Sequence, residues 1–273
     1  MTQITQSVRL EERGEIALVI IDNPPVNALS QHVREGIVDG IAAAQATDAV
    51  GIVLICDGRT FIAGADITEF GQAPQAPSLQ DVQAALEGST KPVVAAIHGT
   101  ALGGGLEIAM CAHYRVASAG AKFGLPEVKL GLLPGAGGTQ RLPRVVGPLK
   151  ALQMMTSGDP IGADDALDAG LISEIVDDLE AGAIAFASRA AAEKMPLLKI
   201  RDQNDKVDGV GPELFADFRK SIARKTRGFD APELNVQCVE AAVNLDFEAG
   251  LAKERELFTT LMQGSQSQAQ QYY

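Results

Sequence analysis

The stretch from Glu15 to Ile21, EIALVII, is almost continuously apolar and reads as a buried strand, closed by the turn Asn23-Pro24-Pro25. A helical alternation of polar and apolar positions follows from about Ser30 to Ala46, and then a second apolar strand, GIVLIC, Gly51 to Cys56. Beyond it lie the glycine-containing loop FIAGADI and the Pro/Gln-rich stretch GQAPQAPSLQ, which lacks periodicity and reads as an exposed connection. A third strand, PVVAAI, ends at Ile97 and leads through His98-Gly99 into ALGGGLEIAMCA, a glycine turn opening a helix. The short strand HYRVAS comes next, then FGLPEVKLGLLPGAGGTQRL, a Gly- and Pro-rich loop entering a helix near Gly138.

Strand and helix alternate through about residue 180, which predicts an α/β class with parallel pairing. From Glu213 onward the chain shows helix-compatible segments separated by Gly228-Phe229-Asp230-Ala231-Pro232. The expected organisation is a core over residues 1–195 and an all-helical region over 196–273. No repeat of fixed period is visible.

Composition narrows the function classes. The 273 residues are 46% hydrophobic and 21% charged, as in a folded domain rather than a disordered or membrane chain. With 23 Lys+Arg against 35 Asp+Glu, the net charge is −12. That argues against nucleic acid, whose phosphates need a basic footprint, and the absence of Trp weakens any base-stacking reading. An acidic protein can still hold an anionic ligand locally. Cys56, Cys111 and Cys238 show no CxxC spacing, so neither a disulfide framework nor a zinc site is indicated, and a reducing home is expected. The N-terminus lacks signal-peptide design and no apolar run approaches the roughly 20 residues a membrane helix needs. The expected location is cytoplasmic, with a peroxisomal or mitochondrial matrix left open, and no membrane partner.

Two glycine-rich loops each follow a strand, AGAD at 63–66 and LGGG at 102–105. Glycine lets backbone N–H groups approach a ligand closely, and two such loops can supply the paired donors of an oxyanion hole. Taken singly, each loop is explained as well by a tight strand-to-helix turn. Neither matches a nucleotide signature: Gly104-Gly105-Leu106 supplies no lysine for a phosphate loop, and Gln140 stands where a dinucleotide fingerprint begun by Gly135-Ala136-Gly137 needs its third glycine.

Glu107 and Glu127 each sit between apolar neighbours. A carboxylate in such company is costly unless solvated, paired or protonated, which makes both candidates for a tuned acid or base. On residue types alone, helix-dipole stabilisation for Glu107 and a loop salt bridge for Glu127 are the plainer explanations. His32, His98 and His113 show no catalytic or metal-ligand spacing and read as structural. Arg219, Lys220, Arg224, Lys225 and Arg227 form the one basic concentration, read as a solvated helix face in preference to a phosphate site.

Together, FIAGADI, KPVVAAIHGTALGGGLEIAMCAHYRVAS and FGLPEVKLGLLPGAGGTQRLPRVVG resemble the enoyl-CoA hydratase/isomerase (crotonase) family, from about Ile16 to Val176. Both loops and both glutamates, twenty residues apart, match in order. The resemblance implies a spiral of ββα repeats with a helical C-terminal region that commonly mediates trimerisation. It implies that the N–H groups of Ala65 and Gly104 hold a thioester carbonyl, that Ala63, Gly64, Ala65, Asp66 and Ile67, with Gly104 and Gly105, line the acyl-CoA site, and that Glu107 and Glu127 are catalytic. Glu107 would deprotonate a water and Glu127 would protonate C2, with no metal or redox cofactor, coenzyme A being part of the substrate. The expected activity is hydration of trans-2-enoyl-CoA to 3-hydroxyacyl-CoA in fatty-acid β-oxidation.

The segment GFDAPELNVQCVEAAVNLDFEAGLAKERELFTTLMQGSQSQAQ is similar to the join between hydratase and dehydrogenase parts of bifunctional β-oxidation enzymes. A dehydrogenase part absent from this chain is therefore expected. A homo-trimer or hexamer is implied for a single-activity enzyme and a monomer for part of a bifunctional chain. Two other readings stand beside hydration: Δ3-Δ2-enoyl-CoA isomerisation by the same carboxylates, and a non-catalytic acyl-CoA-binding or assembly module.

Overall fold

The structure, a computed structural model, describes residues 1–66, 69, 73 and 75–271. Among the described residues the strands are β1 (Thr2–Thr5), β2 (Val8–Arg13), β3 (Ile16–Ile21), β4 (Gly51–Cys56), β5 (Val93–Ile97), β6 (Thr100–Leu102), β7 (Tyr114–Ala117), β8 (Lys122–Gly124), β9 (Ile161–Gly162) and β10 (Glu174–Ile175). The helices are α1 (Gln31–Gln45), α2 (Leu79–Glu87), α3 (Gly104–Ala109), α4 (Gly138–Val146), α5 (Pro148–Ser157), α6 (Ala163–Asp168), α7 (Leu179–Ala192), α8 (Pro212–Ile222), α9 (Ala231–Asn244), α10 (Phe247–Gln263) and α11 (Ser265–Gln271).

Seven strands form one sheet in the order β1-β2-β3-β4-β5-β7-β10, and β6, β8 and β9 form a smaller one. The pairings from β3 through β10 are parallel, as expected from the alternation of strands and helices, whereas β1-β2 and β2-β3 are antiparallel. Every residue of β3, β4 and β5 is buried. This is the mark of strands covered on both faces, where a continuous apolar run replaces alternation. On one face, Ala183, Phe186, Ala187 and Ala190 of α7 pack against Ile16, Leu18, Val53, Ile55, Val94 and Val116. On the other lies α1, whose Val33, Ile37, Ile41 and Ala44 are buried at helical spacing. Gly36 and Gly40 let α1 come close, since a Cβ there would stand 2.4 Å from Val8 and 2.9 Å from Val19.

By internal packing the chain divides into two compact units, Met1–Phe123 with Gly162–Lys199 and Gly124–Ile161 with Ile200–Tyr273. The first contains the seven-stranded sheet. The second is almost entirely helical, with α9 packed by α4, α5, α8 and α10. Its core joins Leu132 and Leu133 to Ala231, Cys238, Leu257 and Leu261. This division differs from the expected border at 195/196, because residues 124–161 group with the C-terminal helices. The reason is packing: α4 is buried along its whole length, and α5 buries Ala151, Leu152, Met154 and Met155.

Candidate active site

In the first unit, two loops meet through their backbones. Leu29 N–H donates to the Gly64 carbonyl at 3.0 Å, Ala63 N–H donates to Val26 at 3.2 Å, and Leu102 N–H donates to Ile62 at 3.2 Å. A parallel bridge pairs Leu29 with Ala65. Gly64 has φ +120° and Gly103 φ +52°, conformations that favour glycine. Gly105 is demanded by proximity instead: a Cβ there would lie 2.0 Å from the Ile62 carbonyl oxygen. A Cβ on Gly104 would stand 3.6 Å from the Ala65 nitrogen, so the two expected donors are neighbours. Neither Ala65 N–H nor Gly104 N–H donates to an acceptor among the described residues.

Glu107 lies in the first turn of α3, 3% exposed, with buried Leu106, Ile108 and Ala109 beside it in the helix. Its backbone N–H donates to Gly103 at 3.0 Å. Asp66 is half-buried, and its carbonyl accepts the Glu69 N–H at 3.1 Å. Ile67 lies outside the described residues. The first unit therefore brings together Ala63, Gly64, Ala65, Gly104, Gly105 and Glu107.

Glu127 belongs to the second unit. It is half-buried in the 3-10 helix Pro126–Leu130, which Pro126 opens and Gly131, at φ +67°, closes. Leu132 N–H donates to the Glu127 carbonyl at 3.0 Å.

Two supports were not singled out from the sequence. Asn27 is buried at φ +52°; its amide donates to the carbonyls of Asp57 (2.9 Å) and Thr60 (2.8 Å), and its Oδ1 accepts the Asn23 N–H at 2.7 Å. It thus fastens the start of the AGAD loop to the segment before α1. An asparagine just after Pro-Pro-Val was the available signal, since Asn tolerates the left-handed region and bonds nearby backbone. Leu29 packs 3.4 Å from where a Gly104 Cβ would be, and no pattern pointed to it.

His32 Nε2 lies 3.3 Å from Asn23 Oδ1, and His98 Nε2 lies 3.1 Å from the Gly58 carbonyl. His113 Nδ1 accepts the Val93 N–H at 3.0 Å, and burial pushes the ring down to about 4, against a backbone hydrogen bond at Glu87 that raises it. In the basic run, Arg219 is held by Glu240 at 2.6 and 2.8 Å and by Glu233 at 2.9 Å, and Lys220 pairs with Asp217 at 3.0 Å. A cavity of about 630 Å³ in the second unit is lined by Leu149, Leu214, Phe218, Ile222 and Lys225 among others, and by none of the expected site residues. Among the described residues, no group of His, Cys, Asp or Glu is placed to hold a metal ion, and no helix is long and apolar enough to cross a membrane.

Comparison with known proteins supplies the context for this geometry. The chain is 42% identical over 264 residues to the peroxisomal bifunctional enzyme of Homo sapiens, covering 94% of this chain and 36% of that protein. It is 42% identical over 204 residues to the probable enoyl-CoA hydratase of Bacillus subtilis (strain 168), covering 69% of this chain and 79% of that one. A solved enoyl-CoA hydratase from Thermoplasma volcanium GSS1 superposes with a TM-score of 0.64 at 26% identity, over 97% of this chain and 96% of that one. The chain thus spans 36% of the length of the bifunctional relatives from zebrafish (Danio rerio) and human. The sequence pattern described as Enoyl-CoA hydratase/isomerase matches residues 11–202, and the chain belongs to the enoyl-CoA hydratase/isomerase family.

Proposed function

We propose that the chain hydrates trans-2-enoyl-CoA to 3-hydroxyacyl-CoA in fatty-acid β-oxidation. The observation that carries this reading is the pair of adjacent backbone donors, Ala65 N–H and Gly104 N–H, left without acceptors among the described residues. Donors fixed before the substrate arrives stabilise charge that grows on a thioester oxygen without reorganising, and losing one such donor typically costs about 10²- to 10³-fold in rate. In this reading Ala63, Gly64, Asp66, Ile67 and Gly105 line the acyl-CoA site. Glu107 takes a proton from water as its oxygen bonds to C3, and Glu127 gives a proton to C2. Exchange with solvent restores both carboxyl groups, so one water is added in total. The name of the Bacillus subtilis relative, probable enoyl-CoA hydratase, supports the same reaction.

The family description also includes isomerases, and the same two carboxylates could move a proton between C2 and C4 of a 3-enoyl thioester. Three buried free cysteines suit a reducing compartment, the cytosol or an organelle such as the peroxisome named for the zebrafish and human relatives.

The test is the loss of ultraviolet absorbance of a short trans-2-enoyl-CoA. Glu107→Gln and Glu127→Gln should each lower the rate by at least about 10²-fold while the protein stays folded. An unaltered chain that folds, binds the thioester and leaves its absorbance unchanged would overturn hydration, and conversion of a 3-enoyl-CoA by that chain would put isomerisation in its place.

A further inference from the structure

The loop that follows Glu127 is walled in by the C-terminal helices of its own unit. A Cβ on Gly131 would lie 2.6 Å from Gln270 and 3.0 Å from Ser267, and one on Gly135 would lie 2.8 Å from the Phe258 ring. Gly250 of α10 meets Gln140 of α4 so closely that a Cβ there would stand 2.1 Å from its Oε1. These contacts explain the Gly135-Ala136-Gly137 run that resembled the start of a dinucleotide fingerprint: helices need the room.

At the far end of that loop sits a buried carboxylate. Glu254 of α10 is 2% exposed and accepts hydrogen bonds from Gly137 N–H at 2.7 Å, Thr139 N–H at 3.1 Å and Thr139 Oγ1 at 2.5 Å. It fixes the first turn of α4, where backbone donors have no partner within the helix. The near end is tied by Leu132 N–H to the Glu127 carbonyl and by Asn235 Nδ2 to the Leu132 carbonyl at 3.4 Å. Between these anchors the chain has only residues 133–136, including Pro134, so moving one end moves the other.

We infer that Glu254 is a positioning residue for Glu127, setting the 3-10 helix that carries it through the clamp on the start of α4. The inference rests on the reading of Glu127 as the C2 proton donor. A displacement of about 1 Å at a reacting group can cost 10²-fold in rate. Glu254→Gln replaces one accepting oxygen by a donating amide against Gly137 or Thr139.

The experiment compares steady-state hydration of a short trans-2-enoyl-CoA by the unaltered chain, Glu254→Gln, Thr139→Val, Glu127→Gln and the double variant Glu127→Gln/Glu254→Gln. Glu254→Gln should lower kcat by about 10²-fold with KM little changed, and Thr139→Val, which removes one donor and keeps the backbone, should lower it less. Because Glu254 acts through Glu127, the double variant should be no slower than Glu127→Gln alone, whereas a merely structural role would multiply the two losses. A folded Glu254→Gln protein with unaltered kcat, or a multiplied loss, overturns the inference. Should Glu254→Gln fail to fold, an unaltered kcat in Thr139→Val overturns it. Full turnover by Glu127→Gln removes the reading beneath the inference and the inference with it, and so is told apart from the other outcomes.

Discussion

A single hydrogen atom in place of a side chain at Gly105 allows α3 to start against the Ile62 carbonyl, and with it the Gly104 donor to sit beside Ala65. Gly105→Ala puts a methyl group 2.0 Å from a backbone oxygen that cannot swing aside. The variant should lose about 1–3 kcal/mol of stability, as overpacked sites do, and about 10²-fold in hydration rate as the two donors separate. Gly120→Ala, where no atom lies within 4 Å, should change neither urea midpoint nor rate. The glycine run at 103–105 was legible as a turn that could present backbone donors. Its three members differ in ways the letters do not carry: Gly103 is needed for its φ, Gly105 for a carbonyl brought in by residue 62. Asn27 escaped notice for the same reason, since its acceptors belong to a loop thirty residues away in sequence.

At the scale of elements, helix ends decide how firmly side chains on them are held. Asp246 caps α10, its carboxylate accepting the Ala249 N–H at 2.8 Å. Asp246→Ala should destabilise the protein by about 1 kcal/mol in a urea titration, with little change in the slope of the transition. Strands β3, β4 and β5 were readable because burial on both faces leaves an unbroken apolar run. The β1-β2 hairpin was not: β1 is short, polar and largely exposed, and in β2 only Val8 and Leu10 are buried. Nor could periodicity tell that α4 and α5 pack on α9, because an apolar helix face shows that it needs a partner without saying which.

For the molecule as a whole, pH enters through His113. Its folded value near 4 lies below the ordinary 6.5, so the ring is neutral when folded and takes up a proton on unfolding below pH 6.5. The stability it contributes is present above pH 6.5 and is lost as pH falls toward 4, by about 3 kcal/mol in total. Urea unfolding at pH 7 and pH 5 should show a steeper loss for the unaltered chain than for His113→Gln, which keeps an acceptor for the Val93 amide without a proton to gain. Equal losses would mean that His113 titrates alike in both states.

The second unit is assembled from two separated stretches of chain, 124–161 and 200–273. Synthesis on the ribosome runs from the N-terminus and lets each domain fold as it is completed. Residues 124–161 therefore emerge while α9 and α10, the helices that bury their apolar faces, have still to be translated. During that interval the 3-10 helix bearing Glu127 has no clamp, and the faces of α4 and α5 that pack on α9 are without their partner.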